Sequence, residues 1–202
     1  MTLWRGKDPL ILASQSRARQ MLLAGAGISF ESVPAGIDER AIQQTSGLRS
    51  PRDIAALLAR EKSLFVSARR SGAYVVGADQ TLALGTRLFS KPDGRAQAAE
   101  QLGALAGCSH ELHSAVAVAR DGKILFEAIA IARMTMRPLS EAEIDAYLDE
   151  AGAAVTSSVG AYQLEGLGVH LFERIEGDHF TILGLPLLPL LAFLRSEGLL
   201  GI

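Results

Sequence analysis

The sequence predicts a mixed α/β fold, because helical and strand-like patterns interleave along the chain without a regular order. The chain has 202 residues, of which 49% are hydrophobic, and this is enough for one sizeable core or for two small lobes. Its sequence contains no regular strand–helix–strand alternation, no dinucleotide-binding fingerprint and no P-loop motif. We therefore expect a mixed sheet with flanking helices, rather than a Rossmann or TIM arrangement, in one domain that spans residues 1–202.

The first part of the chain predicts two strands and two helices. Residues 10–13 form a short apolar run that is typical of a strand. Ser16 is a good helix N-cap for the apolar positions that follow, up to a stop at a nearby pair of glycines. A second helix begins at Ser50, and its apolar positions recur at helical spacing to about residue 70. A buried strand then covers residues 73–78.

The second part of the chain predicts hairpins and helices in alternation. In chain order these elements are a hairpin turn at residues 84–87, a helix at residues 93–106, strands at residues 111–119 and 123–136, a helix from Ser140 to Gly152, strands at residues 169–175 and 179–183, and a helix after Pro186. Asp121-Gly122 predicts a tight turn between the first two of these strands. Ser140 and Glu143 have the spacing of a capping box.

Composition and charge exclude several classes of function. A formal net charge of −2 provides no global basic field for a nucleic-acid backbone or an anionic membrane, so any anion site must be local. A single cysteine, Cys108, excludes an intramolecular disulfide framework and indicates a reducing compartment. The N-terminal residues do not resemble an export signal, and the most apolar stretch, residues 181–194, is shorter than a membrane span. We therefore expect a cytoplasmic protein without a nucleic-acid or membrane partner.

The segment LASQSRAR carries the first candidate site. Arg17 and Arg19 lie in the first turn of the helix capped by Ser16, where the helix dipole disfavours cations. Backbone N–H groups, the hydroxyls of Ser14 and Ser16 and a guanidinium at one helix N-terminus can bind a phosphate-sized anion. The alternative is a solvated N-terminus with two surface arginines, and this segment alone does not decide between them.

Two further segments place charged residues next to apolar ones. In VVGADQT, Asp79 ends a buried strand, where a carboxylate can serve as a metal ligand, as a general base or only as the cap of the next turn. In AREKS, helical spacing places Glu61 among the apolar positions of its helix and Lys62 at their edge. We expect a structural ion pair for Glu61, whereas both a solvated and a functional role are open for Lys62.

Other charged residues give weaker signals. Glu39, next to Asp38 in GIDER, offers a carboxylate of the kind that binds a hard divalent cation, and Lys91 in SKP can neutralise phosphate charge. The four histidines have no zinc-binding spacing, and His110 and His113 are expected on opposite faces of one strand. We interpret all four histidines as structural or surface residues.

In their order and spacing, seven segments resemble the Maf family. They are LASQSRAR, GIDER, AREKS, GADQT, SKP, HELHSAVAV and GAYQLEGLGVHLFERIEGDHFTILGLPL, and together they extend over residues 9–194. The resemblance implies hydrolysis of a nucleoside triphosphate between its α and β phosphates, giving a monophosphate and pyrophosphate, with Mg²⁺ or Mn²⁺ as cofactor. It also implies a strongly twisted mixed sheet beneath a cleft between two lobes, as in inosine-triphosphate pyrophosphatases, and in many members a homodimer.

The resemblance also implies roles for individual residues. Asp79 corresponds to the family's proposed proton acceptor, and we expect it to bind the metal together with Glu39. The family's phosphate and metal environment corresponds to five residues, Ser14, Arg19, Glu39, Lys62 and Lys91. On this basis Lys62 and Lys91 are expected to act in catalysis with Asp79, and Ser16 is expected to help Ser14 and Arg19 bind the substrate.

Three positions bear on which base is bound. Gln80 and Glu165 resemble the family branch that acts on 7-methylguanosine triphosphate, whereas the branch that takes dTTP and UTP typically has threonine and glutamine there. Ala18 stands where the family usually has arginine or tryptophan, so it matches neither branch. We expect a preference for substrates like 7-methyl-GTP. One alternative is a broad house-cleaning pyrophosphatase acting on dTTP, UTP and modified pyrimidine nucleotides, and another is a non-catalytic nucleotide-binding regulator of cell division.

Overall fold

A computed structural model describes residues 3–201 of the chain. In that range the strands are β1 (Leu10–Leu12), β2 (Phe30–Ser32), β3 (Val75–Leu84), β4 (Arg87–Phe89), β5 (Ser109–Arg120), β6 (Lys123–Met136) and β7 (Phe172–Glu176). The helices are α1 (Arg17–Gly25), α2 (Glu39–Ser46), α3 (Pro51–Ser67), α4 (Arg95–Leu105), α5 (Glu141–Ala151), α6 (His179–Ile182) and α7 (Leu187–Ser196). Short 3-10 turns cover Gly152–Thr156, Val159–Ala161 and Leu167–Leu171.

The strands form a mixed sheet, which confirms the predicted α/β class with flanking helices. The strand order is β2-β1-β3-β5-β6-β7, and β4 pairs with β3. β1 is parallel to both β2 and β3, whereas the β3–β4 and β6–β7 pairs are antiparallel. Between β5 and β6, Asp121 and Gly122 both have positive φ angles, 50° and 72°, as a tight hairpin turn requires. The predicted Asp-Gly turn is therefore confirmed.

One predicted pair of strands is wrong. Residues 169–175 were expected to pair with residues 179–183, but β7 pairs with β6, and residues 179–182 form the short helix α6. A brief apolar run fits a buried strand and a buried helical turn equally well, so periodicity does not separate them. Gly184, with φ 87°, ends this helical turn, because few residues other than glycine adopt that backbone conformation.

The helix caps follow their sequence signals. Ser16 and Ser50 accept hydrogen bonds from backbone N–H groups at the starts of α1 and α3, and Ser140 forms the predicted capping box with Glu143. Helix α2 was not predicted, although its signals are present in the sequence. Asp38 caps its first turn and Gly47 follows its end in the left-handed conformation.

Contacts divide the chain into two compact units, each built from separate segments. The first unit contains the chain up to Gln80, His113–Ala130 and the chain from His179 onward, and the second contains Thr81–Leu112 and Ile131–Asp178. In the second unit α4 packs against α5 and against the Val159–Ala161 turn. Among residues 3–201, we find no helix that is both long and apolar enough to cross a membrane.

In the first unit, helices cover both faces of the sheet. Alternate residues of a strand point to opposite faces, so the largest core cluster takes Leu10 and Leu12 from β1, while Ile11 packs with Val66 of α3 in a second cluster. The largest cluster also contains buried leucines of α1 and α7. A third cluster consists of small residues, Ala55, Ala59, Ala115 and Ala117, which pack α3 against β5.

Helix α3 lies unusually close to β3, because Gly77 has no side chain. A Cβ atom at Gly77 would lie 2.1 Å from the carbonyl oxygen of Ala59 and 2.6 Å from the backbone nitrogen of Ser63. The buried face of α3 runs through Ile54, Leu58, Lys62 and Val66 at helical spacing.

The observed buried face of α3 differs from the predicted one at Lys62, Glu61 and Phe65. Lys62 lies within that face, whereas Glu61 is only half-buried beside it. Phe65, which was expected to belong to the apolar positions, is 36% exposed. The reason is that the α3 backbone packs directly on Gly77, so the turn formed by Ala59 and Ser63 defines the centre of the contact.

Candidate active site

A buried lysine bridges two carboxylates in the first unit. Lys62 Nζ lies 2.6 Å from Asp79 Oδ1 and 2.9 Å from Glu39 Oε1. The side chains of Lys62 and Asp79 are each 10% exposed, whereas that of Glu39 is 49% exposed. The cluster therefore has a buried end at Asp79 and a solvent-facing end at Glu39.

Each member of this cluster is positioned by its own element. Asp79 follows four buried residues of β3, so its backbone is fixed in the sheet. Lys62 comes from α3, which reaches β3 closely at Gly77, two residues before Asp79. Glu39 is the first residue of α2, directly after the capping residue Asp38. Three elements that are separate in sequence thus converge on one ammonium group.

Burial controls the acidity of Asp79. It raises the pKa of the Asp79 carboxyl above its ordinary value, while the positive charges of Lys62 and Arg19 pull the pKa in the opposite direction. A carboxylate with a raised pKa is a stronger base in its ionised form, which is the property a general base needs. The neighbouring cations keep this buried group able to ionise.

Arg19 connects the start of α1 to the β3 residue that precedes Asp79. Its Nε donates to the carbonyl of Gly184 over 2.7 Å, and its Nη1 donates to the carbonyl of Ala78 over 2.8 Å and to Ser14 Oγ over 3.2 Å. Burial lowers the pKa of the guanidinium, and the charges of Asp79 and Glu39 oppose that effect. Among the described residues, Nη2 makes no hydrogen bond, so two N–H groups of a fixed guanidinium are available.

The remaining residues of the first motif surround the N-terminus of α1. Ser14 Oγ accepts a hydrogen bond from the backbone nitrogen of Ser16 over 3.2 Å, and Ser16 Oγ accepts one from the backbone nitrogen of Arg19 over 3.4 Å. Arg17 is exposed, and Ala18 is half-buried in the first turn. Ser14 and Arg19 thus face the cluster side of this turn, while Arg17 points to solvent.

The amide of Gln80 has a fixed orientation. Its Nε2 lies 2.9 Å from Ser114 Oγ and 3.0 Å from each of the carbonyl oxygens of Thr181 and Ile182. Ser114 Oγ donates its own proton to the carbonyl of Thr181 over 2.7 Å, so it can only accept from Gln80. The donor side of Gln80 is therefore used within the protein, and Oε1 is the group left to meet a ligand.

Gly184 allows Arg19 and Gln80 to approach each other. A Cβ atom at Gly184 would lie 3.3 Å from Arg19 Nη2 and 3.6 Å from Gln80 Oε1. Gly184, Gly77 and Ser114 were not predicted as parts of this site. An isolated glycine within a strand pattern, as at Gly77, is the one available signal, because it often marks a close backbone approach.

Lys91 and Glu165 belong to the second unit. Lys91 is exposed in the connection between β4 and α4, just before the buried Pro92. Glu165 is exposed in a tight loop, in which the backbone nitrogen of Gly166 donates to the carbonyl of Gln163 over 3.2 Å. The structure therefore brings together Ser14, Arg19, Glu39, Lys62, Asp79 and Gln80 in the first unit, and describes Lys91 and Glu165 within the second.

The carboxylates fit a metal ion whose other ligands come from a substrate. Among residues 3–201, no group of three or more histidine, cysteine, aspartate or glutamate residues is arranged to hold a metal ion. Glu39 and Asp79 offer two hard oxygen ligands on either side of the Lys62 ammonium. The two carboxylates thus already stabilise one positive charge between them. Mg²⁺ is commonly bound by one or two carboxylates together with substrate phosphates.

Comparison with known proteins identifies the family. A family model described as Maf-like protein matches residues 9–197. The chain belongs to the Maf-like family. A relative from Bradyrhizobium diazoefficiens, named nucleoside triphosphate pyrophosphatase, is 72% identical over 202 residues, 100% of both chains.

Two further relatives and one solved structure complete the comparison. A Rhodopseudomonas palustris protein with the same name is 68% identical over 100% of both chains. A Rhizobium etli protein named 7-methyl-GTP pyrophosphatase is 52% identical over 94% of this chain and 96% of its own. A HAM1 protein from Coxiella burnetii has a TM-score of 0.39 and 16% identity over 63% of this chain and 72% of its own, and a likeness of that extent supports no argument.

Proposed function

We propose that this Maf-like chain is a nucleoside triphosphate pyrophosphatase, a hydrolase that splits the bond between the α and β phosphates. The observation that carries the proposal is the buried Asp79 carboxylate held by Lys62 at 2.6 Å, with Glu39 on the other side of the same ammonium. The names of relatives with 72% and 68% identity support the same reaction class.

In the proposed reaction, Asp79 accepts a proton from the attacking water. The oxygen of that water forms a bond to the α phosphorus, while the bond from this phosphorus to the oxygen bridging to the β phosphorus breaks and pyrophosphate leaves with the electron pair. The raised pKa of Asp79 supports this role, because the carboxylate gains proton affinity while Lys62 and Arg19 keep it ionisable. Lys62 also holds the carboxylate in one orientation.

The cationic residues are proposed to stabilise the triphosphate. Arg19 presents its Nη2 group in a fixed position because Nε and Nη1 are held by Gly184, Ala78 and Ser14. Such preorganised donors favour phosphoryl transfer, which depends chiefly on positioning and electrostatics. Lys91 is proposed to neutralise charge on the leaving pyrophosphate, and Ser16 to assist phosphate binding through the N-terminus of α1.

A divalent cation, Mg²⁺ or Mn²⁺, bound at Glu39 and Asp79 with phosphate oxygens would offset the charge that builds on the phosphoryl group. The exposed position of Glu39 supports this proposal, because that carboxylate can release Lys62 and turn to a substrate-borne ion. Lys62 then retains its shorter contact with Asp79.

For the base, we propose that guanine-type substrates such as 7-methyl-GTP are preferred. Glu165 is a carboxylate and accepts hydrogen bonds only, and Gln80 has Oε1 left as an acceptor, so both suit the N1–H and N2–H donors of guanine. The Rhizobium etli relative named 7-methyl-GTP pyrophosphatase supports this choice. Ala18, small and half-buried, leaves room for broader use of pyrimidine nucleotides, which is the alternative.

Product analysis tests the proposal. The purified protein is incubated with Mg²⁺ or Mn²⁺ and a panel of 7-methyl-GTP, GTP, UTP and dTTP, and pyrophosphate, nucleoside monophosphate and orthophosphate are measured separately. We expect pyrophosphate and monophosphate in equal amounts, with guanine-type substrates turned over fastest. Orthophosphate as the primary product would contradict the cleavage site. Binding without turnover would instead favour a nucleotide-binding regulator.

A further inference from the structure

A buried glutamine of the second unit joins two segments to which the proposed function assigns roles. Gln101 lies on α4 and is 4% exposed. Its Nε2 donates to the carbonyl of Ser90 over 2.9 Å, and its Oε1 accepts from the backbone nitrogen of Gly160 over 3.1 Å. Ser90 immediately precedes Lys91, and Gly160 begins the GAYQLEG segment that carries Glu165.

The orientation of the Gln101 amide is determined by these two partners. A carbonyl oxygen must face the amide nitrogen, and an N–H group must face the amide oxygen, so a flipped amide would lose both hydrogen bonds. A side chain without these groups would leave the backbone nitrogen of Gly160 unsatisfied in a buried site. No sequence motif singled out Gln101, because a lone glutamine within a helical pattern carries no signal.

The backbone that follows Gly160 toward Glu165 is also held by contacts. Gly160 and Ala161 both have positive φ angles, 78° and 60°, which is costly for alanine and is retained only where surrounding contacts impose it. Tyr147 donates its hydroxyl to the carbonyl of Ala161 over 3.2 Å. A Cβ atom at Gly160 would lie 2.6 Å from Leu82 Cδ1, so this backbone is packed as well as hydrogen-bonded.

Further hydrogen bonds hold the loop that carries Glu165. Ser158 Oγ donates to the carbonyl of Tyr162 over 2.7 Å, and Gln163 Nε2 donates to Ser157 Oγ over 2.7 Å. A Cβ atom at Gly168 would lie 2.4 Å from the carbonyl oxygen of Gln163, so the two ends of the loop meet directly. Both ends of the loop are thus held by contacts within the second unit.

We propose that Gln101 is a positioning residue of the enzyme: its single buried amide sets the backbone next to Lys91 and the start of the Glu165 loop together. The inference rests on the proposed function, because it assigns Gln101 an effect on turnover through Lys91. If Gln101 served stability alone, it would make the same hydrogen bonds, but the effect of replacing it on kcat/KM would not depend on Lys91.

Substitutions of equal length separate the two roles. Gln101→Glu keeps an acceptor for the Gly160 nitrogen, and in its ionised form, which a high assay pH favours, it has no hydrogen for the Ser90 carbonyl, so it acts on the Lys91 side. Gln101→Met removes both hydrogen bonds without adding a buried charge. Gln97→Glu is the matched control: it adds the same charge to the same helix and keeps the bond that Gln97 Oε1 accepts from the backbone nitrogen of Asp93 over 2.7 Å.

The readout is kcat/KM for pyrophosphate release, in the parent and in a Lys91→Ala background. We expect Gln101→Glu and Gln101→Met to lower kcat/KM by about 10- to 100-fold, the scale of a small misplacement of a catalytic group, while Gln97→Glu stays within about twofold. In the Lys91→Ala background, the same two Gln101 substitutions should cost less than about threefold, because the group they position is gone.

Three results would overturn the inference. Equal fold-losses from the Gln101 substitutions with and without Lys91 would assign Gln101 to stability alone. Full activity in a folded Gln101→Met protein would show that neither hydrogen bond matters for turnover. If Gln101→Glu does not fold, the comparison rests on Gln101→Met. A Lys91→Ala protein with parental activity would contradict the proposed role of Lys91, and with it this inference. If Lys91→Ala lowers activity but the Gln101 substitutions cost the same with and without Lys91, only the inference about Gln101 is contradicted.

Discussion

Replacing Gly77 by alanine should damage both the packing of α3 and the geometry of the active site. The new Cβ atom would lie 2.1 Å from the carbonyl oxygen of Ala59 and 2.6 Å from the nitrogen of Ser63, and both are backbone atoms that cannot rotate away. Because ordinary contacts are about 3.5 Å, α3 must move from β3 by about 1 Å or more. Lys62 lies on the same turn of α3, so it moves relative to Asp79.

The expected magnitude has two parts. Overpacking a well-filled core costs about 1–3 kcal/mol of unfolding free energy, and contact with rigid backbone places Gly77→Ala at the upper end of that range. A displacement of about 1 Å at a catalytic group costs about a hundredfold in rate. The contact between Lys62 Nζ and Asp79 Oδ1 is 2.6 Å long. A shift of that size would lengthen it to about 3.6 Å, beyond hydrogen-bond distance, and would weaken the ion pair.

Denaturant unfolding and steady-state kinetics measure the two parts separately. The matched control is Gly103→Ala on α4, because a Cβ atom at Gly103 meets nothing within 4 Å. That control should be neutral or should stabilise by up to about 1 kcal/mol, since alanine favours helix. A Gly77→Ala protein with parental stability and kcat would refute the claim that close helix–strand contact builds the site.

Three further predictions concern separate residues. Burial lowers the pKa of His110 to about 4, so His110 stays neutral in the folded protein, whereas it binds a proton near pH 6.5 in the unfolded protein. The free energy of unfolding should therefore fall by up to about 3 kcal/mol as the pH drops from 6.5 to 4. Chemical denaturation at both pH values should show a smaller loss for His110→Gln. Arg19→Ala should weaken binding of a non-hydrolysable triphosphate more than binding of the free nucleoside, with Arg17→Ala as a milder control, and equal losses in calorimetric titration would return Arg19 to a purely structural role. Glu165→Gln should reduce the preference for 7-methyl-GTP over UTP by about 1–3 kcal/mol in kcat/KM, and unchanged ratios would show that Glu165 does not select the base.

Local signals in the sequence were sufficient for most of the fold. Caps such as Ser50 and Ser140 and the Asp121-Gly122 turn depend on neighbouring residues, so their outcome follows from chemistry within a few positions. The partner of β7 could not be predicted in the same way, because pairing with β6 joins residues about 40 positions apart. Residues 179–182 then form a helical turn whose carbonyl groups accept hydrogen bonds from the backbone of residues 183–185 and from Gln80.

In the candidate site, too, local signals were predicted from the sequence and long-range contacts were not. The charge pattern marked Asp79 and left Lys62 open, but only the three-dimensional packing places Lys62 between Asp79 and Glu39. The orientation of the Gln80 amide depends on carbonyls about 100 residues away. Such long-range hydrogen bonds leave no periodic pattern in the sequence.

The central claim is that Asp79 acts as the general base of a pyrophosphatase, and Asp79→Asn tests it most directly. The amide keeps the shape of the side chain, and Glu39 remains 2.9 Å from Lys62 to balance its charge, so the variant should fold and bind triphosphate. Removal of a general base costs about 100- to 10,000-fold, and we expect a loss of kcat for pyrophosphate release in that range, with binding of a non-hydrolysable analogue nearly unchanged. A folded Asp79→Asn protein that releases pyrophosphate within a few-fold of the parental rate would contradict the account.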